Sequence, residues 1–274
     1  MSENKYSFLM SVYYKENPFY LKQSIESMLS QTVFPDEIVI VEDGELTDEL
    51  EAVINYYSNL YPSVFTIVHR KENKGLGFSL NEGLSICRNE LVARMDSDDI
   101  CDRTRCEKQL KRFKDCSKLV ILGTQINEFE DNIENVVSQR KVPIEYDKII
   151  SFSHRRSPFN HPTVMYKKTI ILKNGGYPCI NRKEDLQLFI DIVNKKNYCE
   201  NLDENLLYYR VSNDNLKRRK SWINCKEYIQ IMYGFYKKKI IRTNDLLYVV
   251  IGQISFYILP EGFLSILNRY FLRR

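Results

Sequence analysis

YSFLMSVYYKENPFYLKQSIESMLSQTVFPDEIVIVEDG, residues Tyr6 to Gly44, places two short apolar runs on either side of a helical pattern. The runs YSFLMSVY (Tyr6 to Tyr13) and EIVIV (Glu37 to Val41) are rich in β-branched and aromatic residues, and the spacing from Pro18 to Ser30 predicts a helix between them. The pattern repeats downstream. FTIVH (Phe65 to His69) and ELVARM (Glu90 to Met95) read as strands, preceded by helix-compatible segments at Asp48 to Asn59 and Gly77 to Cys87. Such alternation predicts an α/β fold, a mostly parallel, Rossmann-like sheet flanked by helices. Ligands of such sheets sit beyond the carboxyl ends of the strands. The unusual residues fall there: Tyr13 after the first strand, Asp43 after the second, Lys74 and Gly75 after the third, and Asp96 to Asp99 after the fourth.

Beyond residue 115 the alternation weakens. Leu119 to Glu130 reads as a strand, Pro143 to Phe152 as a helix, and HPTVMY (His161 to Tyr166) as a strand before the turn Asn174-Gly175-Gly176. An amphipathic helix is expected at Asp185 to Asn194 and a short strand at Asn205 to Val211. A basic, aromatic, helical tail follows, so the chain divides at about residues 1–215 and 216–274. Residues 215–274 hold twelve Lys and Arg against three Asp and Glu, a local charge of +9 that leaves −5 for the rest. Leu246 to Pro260 is the tail's most apolar stretch, but it is shorter than the ~20 residues a membrane crossing needs and is broken by Gly252 and Gln253. Seven cysteines, an odd number without any C-x-x-C pair, argue against a disulfide framework or a zinc cluster. With a polar start at Met1 to Tyr6, this points to a cytoplasmic protein.

ARMDSDDI (Ala93 to Ile100) crowds Asp96, Asp98 and Asp99 into four residues, where like charges repel. Extended backbone alternates side-chain direction, so Asp96 and Asp98 face one way and Ser97 the other. Two hard oxygen ligands then face one cation. Mg²⁺ or Mn²⁺ held by one or two carboxylates keeps positions open for phosphate oxygens. The alternative is an acidic turn capping a helix that starts near Asp102. Gly75-x-Gly77 lacks the third glycine of a dinucleotide fingerprint, because position 80 is Leu80.

Taken together, SVYYKE (Ser11 to Glu16), Leu21 to Gly44, ENKGLGFSLNEGL (Glu72 to Leu84), ARMDSDDI and KEDLQLFIDIV (Lys183 to Val193) resemble an inverting family-2 glycosyltransferase of the GT-A fold, of the bacterial O-antigen, capsule and exopolysaccharide type. The resemblance spans about residues 6–215. It implies that Asp43 accepts a hydrogen bond from a uracil N–H, while backbone near Ser11 and the face of Tyr13 hold the base, and that Lys74 and Gly75 meet the nucleotide. Asp98 becomes the metal ligand, with Asp96 on the metal or the donor ribose, and Arg94 pairs with a carboxylate or phosphate. Glu184 and Asp185 match the family's Glu-Asp pair: Asp185 takes the proton of the acceptor hydroxyl and Glu184 positions it. Against this stands an ordinary acidic helix start. His161 falls on the acceptor side, although a structural histidine before a proline is equally in keeping. Arg210, Arg218 and Arg219 resemble a segment that closes over the donor diphosphate.

The implied activity is transfer of a hexose, galactose or glucose, from a UDP-sugar to a polyprenyl-diphosphate-linked saccharide, with inversion to a β-glycoside. The tail, with Trp222 and Lys237-Lys238-Lys239, has the composition of an anchor on the inner face of the cell membrane. Its packing on the catalytic domain, or on a second subunit in a homodimer, competes with that. Charge confined to a tail beside apolar segments disfavours nucleic acid. Two other readings stay open. One is a haloacid-dehalogenase-like phosphohydrolase, which wants its D-x-D near the N-terminus; the other is a catalytically silent scaffold docked on a membrane.

Overall fold

Strands β1 (Ser7–Val12), β2 (Glu37–Glu42), β3 (Phe65–His69) and β4 (Leu91–Arg94) pair in parallel in the order β3-β2-β1-β4. Their side chains alternate between two cores. Phe8, Met10, Ile38 and Ile40 face one layer with α1 (Pro18–Leu29) and α2 (Asp48–Leu60), whereas Leu9, Val39 and Val41 face the other with α3 (Leu76–Ile86). Both faces are covered, which is why β2 is buried along its whole length and reads as one apolar run. The helices start where the sequence says they should. Asn17 caps α1 by accepting from Phe19 N at 2.9 Å with Pro18 in the first turn, and Thr47 caps α2 ahead of Asp48, Glu49 and Glu51. The computed structural model describes residues 5–180, 182–211 and 221–259.

The chain runs outward from β1 to β3 and then returns to place β4 on the other side of β1. That reversal opens a crevice at the carboxyl ends of β1 and β4. The second half extends the same sheet with mixed direction: β8 (Met165–Lys167) is antiparallel to β4 and to β6 (Leu119–Phe129), and β6 lies parallel to β9 (Tyr198–Arg210). β5 (Ile100–Cys101) and β7 (Val136–Arg140) complete nine strands among the described residues. The sheet is parallel only in part, because β8 enters from the opposite end. HPTVMY differs from the expected strand: His161–Thr163 form one 3-10 turn around Pro162, and only Met165 onward pairs. β9 begins at Tyr198, ahead of the expected Asn205, because exposed Asp203 and Glu204 interrupt its apolar alternation.

Helices α4 (Arg105–Asp115), α5 (Tyr146–Ser153), α6 (Lys168–Lys173) and α7 (Glu184–Asn194) pack around this sheet. The tail supplies α8 (Trp222–Lys237) and α9 (Thr243–Ile258). Met232, Phe235, Ile241 and Val249 from this region bury against Leu186 and Ile190 of α7. Arg155–Asp245 at 2.7 Å and Lys238–Asp191 at 3.6 Å add ion pairs across the contact. The tail's other side leaves Trp222, Ile223, Leu247, Ile251 and Ile258 exposed. No described helix is long and apolar enough to cross a membrane.

Candidate active site

Asp96 and Asp98 stand part-exposed after β4, while Ser97 and Asp99 are buried; Ser97 and Asp98 form a turn, so this alternation does not come from the extended backbone that the sequence suggested. α4 starts at Arg105 with Thr104 as its N-cap and no side-chain cap, beyond the triplet. The Asp102 carboxylate accepts from Thr104 N at 2.8 Å and from Thr104 Oγ1 at 2.7 Å, so the acidic triplet is not a helix cap. Two arginines hold the loop. Arg94, buried at the end of β4, pairs with the Asp96 carboxylate. Burial works against its charge, and Asp96, Tyr177, Tyr166 and Asp99 together more than offset that. Arg94 Nε and Nη1 are buried without a hydrogen-bond partner. Arg210, at the end of β9, donates its backbone N–H to Asp99 Oδ1 at 2.9 Å and its Nε to the Asp98 carbonyl at 2.9 Å. Its guanidinium also bonds the Glu130 carbonyl and Gln23 Oε1 and lies over Tyr20, 3.8 Å from the ring centroid. Arg210 is thus tied to the loop by these contacts. Burial first, then Asp98 and Asp96, push the Asp99 carboxyl well above the usual range.

The neighbouring loops are tied to one another through Asp43, buried after β2. Lys74 N donates to its Oδ1 and Gly75 N to its Oδ2, both at 2.9 Å, and Asn73 Nδ2 donates to its carbonyl at 3.0 Å. Arg70 Nη1 lies 3.7 Å from the same carboxylate. Each Asp43 oxygen keeps acceptor capacity for a further donor. Gly75 has φ +92 and open space where a side chain would project, so a ligand can approach its backbone closely. Ser11 and Tyr13, at the end of β1, are half-buried beside this edge.

Across the crevice, Glu184 and Asp185 form the first turn of α7. Lys183, just before them, has φ 66 in the left-handed region, an uncommon setting for a lysine that fixes the exit angle of the helix. Glu184 is buried, and burial first, then the Asp185 charge, push its carboxyl up to about 7. A Cβ on Gly77 would stand 2.6 Å from the Pro178 carbonyl and 3.7 Å from Glu184 Cβ, so the start of α3 presses directly on the approach to this pair. His161 bonds the Tyr177 hydroxyl at 3.2 Å. Burial, then Arg94, hold its imidazole well below the usual range, leaving it neutral. Asp96, His161, Glu184 and Asp185 line one cavity of about 810 Å³. Among the described residues no three His, Cys, Asp or Glu side chains cluster as a metal cage. The residues that could hold a cation here are Asp96 and Asp98, two carboxylates that leave coordination positions for other oxygens.

The family described as Glycosyl transferase family 2 matches residues 7–176. This chain belongs to glycosyltransferase family 2. An uncharacterized glycosyltransferase of Haemophilus influenzae is 38% identical over 270 residues, 98% of this chain and 100% of that protein. The Escherichia coli UDP-Gal:alpha-D-GlcNAc-diphosphoundecaprenol beta-1,3-galactosyltransferase is 34% identical over 271 residues, 98% of this chain and 97% of its own. Among solved structures, the Pyrobaculum calidifontis mannosyltransferase in complex with GDP-Man and Mn2+ superposes with TM-score 0.62 at 14% identity, covering 97% of this chain and 79% of that one. Staphylococcus aureus TarS 1-349 in complex with UDP does so with TM-score 0.60 at 18% identity, covering 97% and 72%. These likenesses establish the GT-A fold.

Within this family-2 glycosyltransferase, the structure gathers the sequence-predicted Asp43, Lys74 and Gly75 at one edge of the crevice and Arg94, Asp96, His161, Glu184 and Asp185 around the cavity. Arg218 and Arg219 lie outside the described residues. Sequence reading missed Arg70 and Tyr177, whose neighbours come from other loops, and also Tyr228 and Arg156 on the cavity wall. Only the dipeptide Arg155-Arg156 before Pro158 offered a signal. Since Glu184 holds its proton more tightly folded than unfolded, stability falls as pH rises from the unfolded value near 4.5 through about 7. Glu184→Gln removes that loss. Its melting temperature should exceed the wild type's at about pH 8 and match it at about pH 4.5; an equal difference at both would contradict the shift.

Proposed function

We propose that this chain is an inverting, divalent-metal-dependent hexosyltransferase that moves galactose or glucose from a UDP-sugar to a saccharide carried on a polyprenyl diphosphate, in the assembly of a surface polysaccharide. The observation that carries this reading is that Asp96, from the loop after β4, lines the same cavity as Glu184 and Asp185 at the start of α7. The name of the 34%-identical E. coli relative, matched end to end, supplies the substrate class.

In this account the uracil ring meets the Asp43 carboxylate, with Ser11 backbone and Tyr13 along the base and Gly75 allowing the loop to approach. Asp98, with Asp96, holds the cation, Mn²⁺ or Mg²⁺. When bound, that ion offsets the charge of the departing nucleotide diphosphate. Arg94 keeps Asp96 in place. Asp185 accepts the proton of the acceptor hydroxyl as its oxygen attacks the anomeric carbon from the face opposite the leaving diphosphate. One bond forms as the other breaks, so an α-linked donor gives a β-glycoside. Glu184, sharing a low-dielectric wall with Asp185, positions that carboxylate and the incoming hydroxyl, and neutral His161 lines the acceptor side.

The exposed apolar side of α8 and α9, in a tail rich in Lys and Arg, suits docking on an anionic membrane surface at the cytoplasmic face, where a lipid-linked acceptor resides. Leu247→Ser with Ile251→Ser should weaken co-sedimentation with anionic vesicles while leaving the melting temperature near wild type; undiminished binding would contradict this docking face. For the chemistry, Asp98→Ala should abolish the Mn²⁺ dependence of UDP binding in calorimetry. Asp185→Asn should retain UDP-sugar binding and lose about 10²- to 10⁴-fold in kcat, and unchanged turnover would remove Asp185 as the base.

A further inference from the structure

The cavity beside Asp185 continues past the catalytic helix to the tail, and its lining changes sign on the way. Its acidic groups, Asp96, Glu184 and Asp185, belong to the catalytic elements, whereas the wall toward the tail carries Arg140, Lys141, Arg155 and Arg156. Tyr228 of α8 stands between the two regions: its hydroxyl donates to the Arg155 carbonyl at 2.9 Å and lies within the fields of both Arg156 and Asp185. Beyond the cations, Val249 and Phe256 of α9, with Leu259 just after it, close the far side.

The cations are not equally engaged. Arg140 Nε bonds Asn160 Oδ1 at 2.7 Å, and Arg155 Nε pairs with Asp245 at 2.7 Å. Arg156 is half-buried beside the Phe152 ring, 5.3 Å from its centroid, and neither it nor Lys141 meets a carboxylate among the described residues. A second cavity of about 900 Å³ opens on the same Lys141, Arg155 and Arg156 and adds Lys148 and Arg242. A partly desolvated guanidinium facing two cavities without a counter-ion favours an anion, and its planar fork matches phosphate oxygens bidentately. Cations backed by aromatic rings and followed by an aliphatic wall have the chemical profile of a phosphate joined to a hydrocarbon chain.

We propose that this wall is the subsite for the acceptor's lipid diphosphate, with Arg156 as its principal ligand and Lys141 assisting, and that the apolar side of α9 facing the cavity takes the first isoprene units. The inference rests on the lipid-diphosphate reading of the acceptor. The acceptor's sugar then lies over Asp185, and its diphosphate points away from Asp98, so the two diphosphates of the reaction stay on opposite sides of the base. α8 and α9 become part of the active site as well as a surface attachment.

Two measurements on the full chain test it. The first compares transfer from a UDP-sugar to a long-chain alkyl diphosphate of N-acetylglucosamine and to the neutral alkyl glycoside of the same sugar. Arg156→Gln should raise KM for the diphosphate acceptor about tenfold or more, with Arg156→Lys intermediate and no rise for the neutral glycoside. The second titrates dodecyl diphosphate into protein saturated with UDP and Mn²⁺, which fills the donor site; Arg156→Gln and Lys141→Gln should each weaken its binding. Equal titration curves for wild type and Arg156→Gln would overturn the subsite, even if wild-type transfer to the lipid acceptor upholds the proposed reaction. Should wild type transfer to neither acceptor, the proposed reaction fails, and the titration still decides whether this wall binds a lipid diphosphate.

Discussion

Asp96, Asp98 and Asp99 are kept within four residues of one another by two arginines that arrive from opposite directions. Two unit charges about 4 Å apart repel by roughly 4 kcal/mol at a protein-like dielectric, so the loop needs compensation to keep this shape. Arg94 supplies it from β4 beneath, through Asp96, and Arg210 from β9 at the side, through the Asp98 carbonyl and the Asp99 carboxylate. Burial, with Asp98 and Asp96 beside it, raises the Asp99 carboxyl well above its ordinary range. The result leaves Asp96 and Asp98 turned to the crevice. Because β5 follows at once and pairs with β9, the loop is stapled at both ends to the sheet.

The other parts of the site are fixed relative to this loop by short-range contacts. Asp43 joins the ends of β2 and β3 into one unit through paired backbone amides. Close approach at Gly77 then presses the start of α3 against the segment leading into α7. The Asp43 loops and the start of α7 are thus fixed on neighbouring elements, which in the proposed reaction serves the alignment of a nucleophile, an anomeric carbon and a leaving group. The tail adds a further wall, since Leu186 and Ile190 of the catalytic helix are buried by side chains from α8, α9 and the turn between them.

The first half of this architecture was legible in the sequence because each βα unit carries its own signals: β-branched runs, Asn17 and Thr47 as caps, and polar residues gathered after each strand. The crevice residues followed from that order. Beyond residue 115 local patterns stop being decisive. β9 pairs with β6 through register shifts, and its middle carries exposed acidic residues, so its apolar alternation is visible only in part. Pro162 hides a 3-10 turn inside what reads as a strand. In the tail, the side that buries Met232 and Phe235 and the side that exposes Ile251 and Ile258 are both apolar, and composition alone does not say which one packs. Arg210 was visible only as a basic residue after a strand. Its work depends on Tyr20, Gln23 and Glu130, which are remote in sequence.

In the proposed reaction the Asp96–Asp98 loop clamps a divalent ion against the donor diphosphate at the β1–β4 crevice. Anomalous diffraction at the manganese edge, from crystals grown with UDP and Mn²⁺, tests this most directly. The account predicts one strong peak within coordination distance of the Asp98 carboxylate and of diphosphate oxygens. Nucleotide bound in the crevice with no such peak, or with the metal held elsewhere, would contradict it.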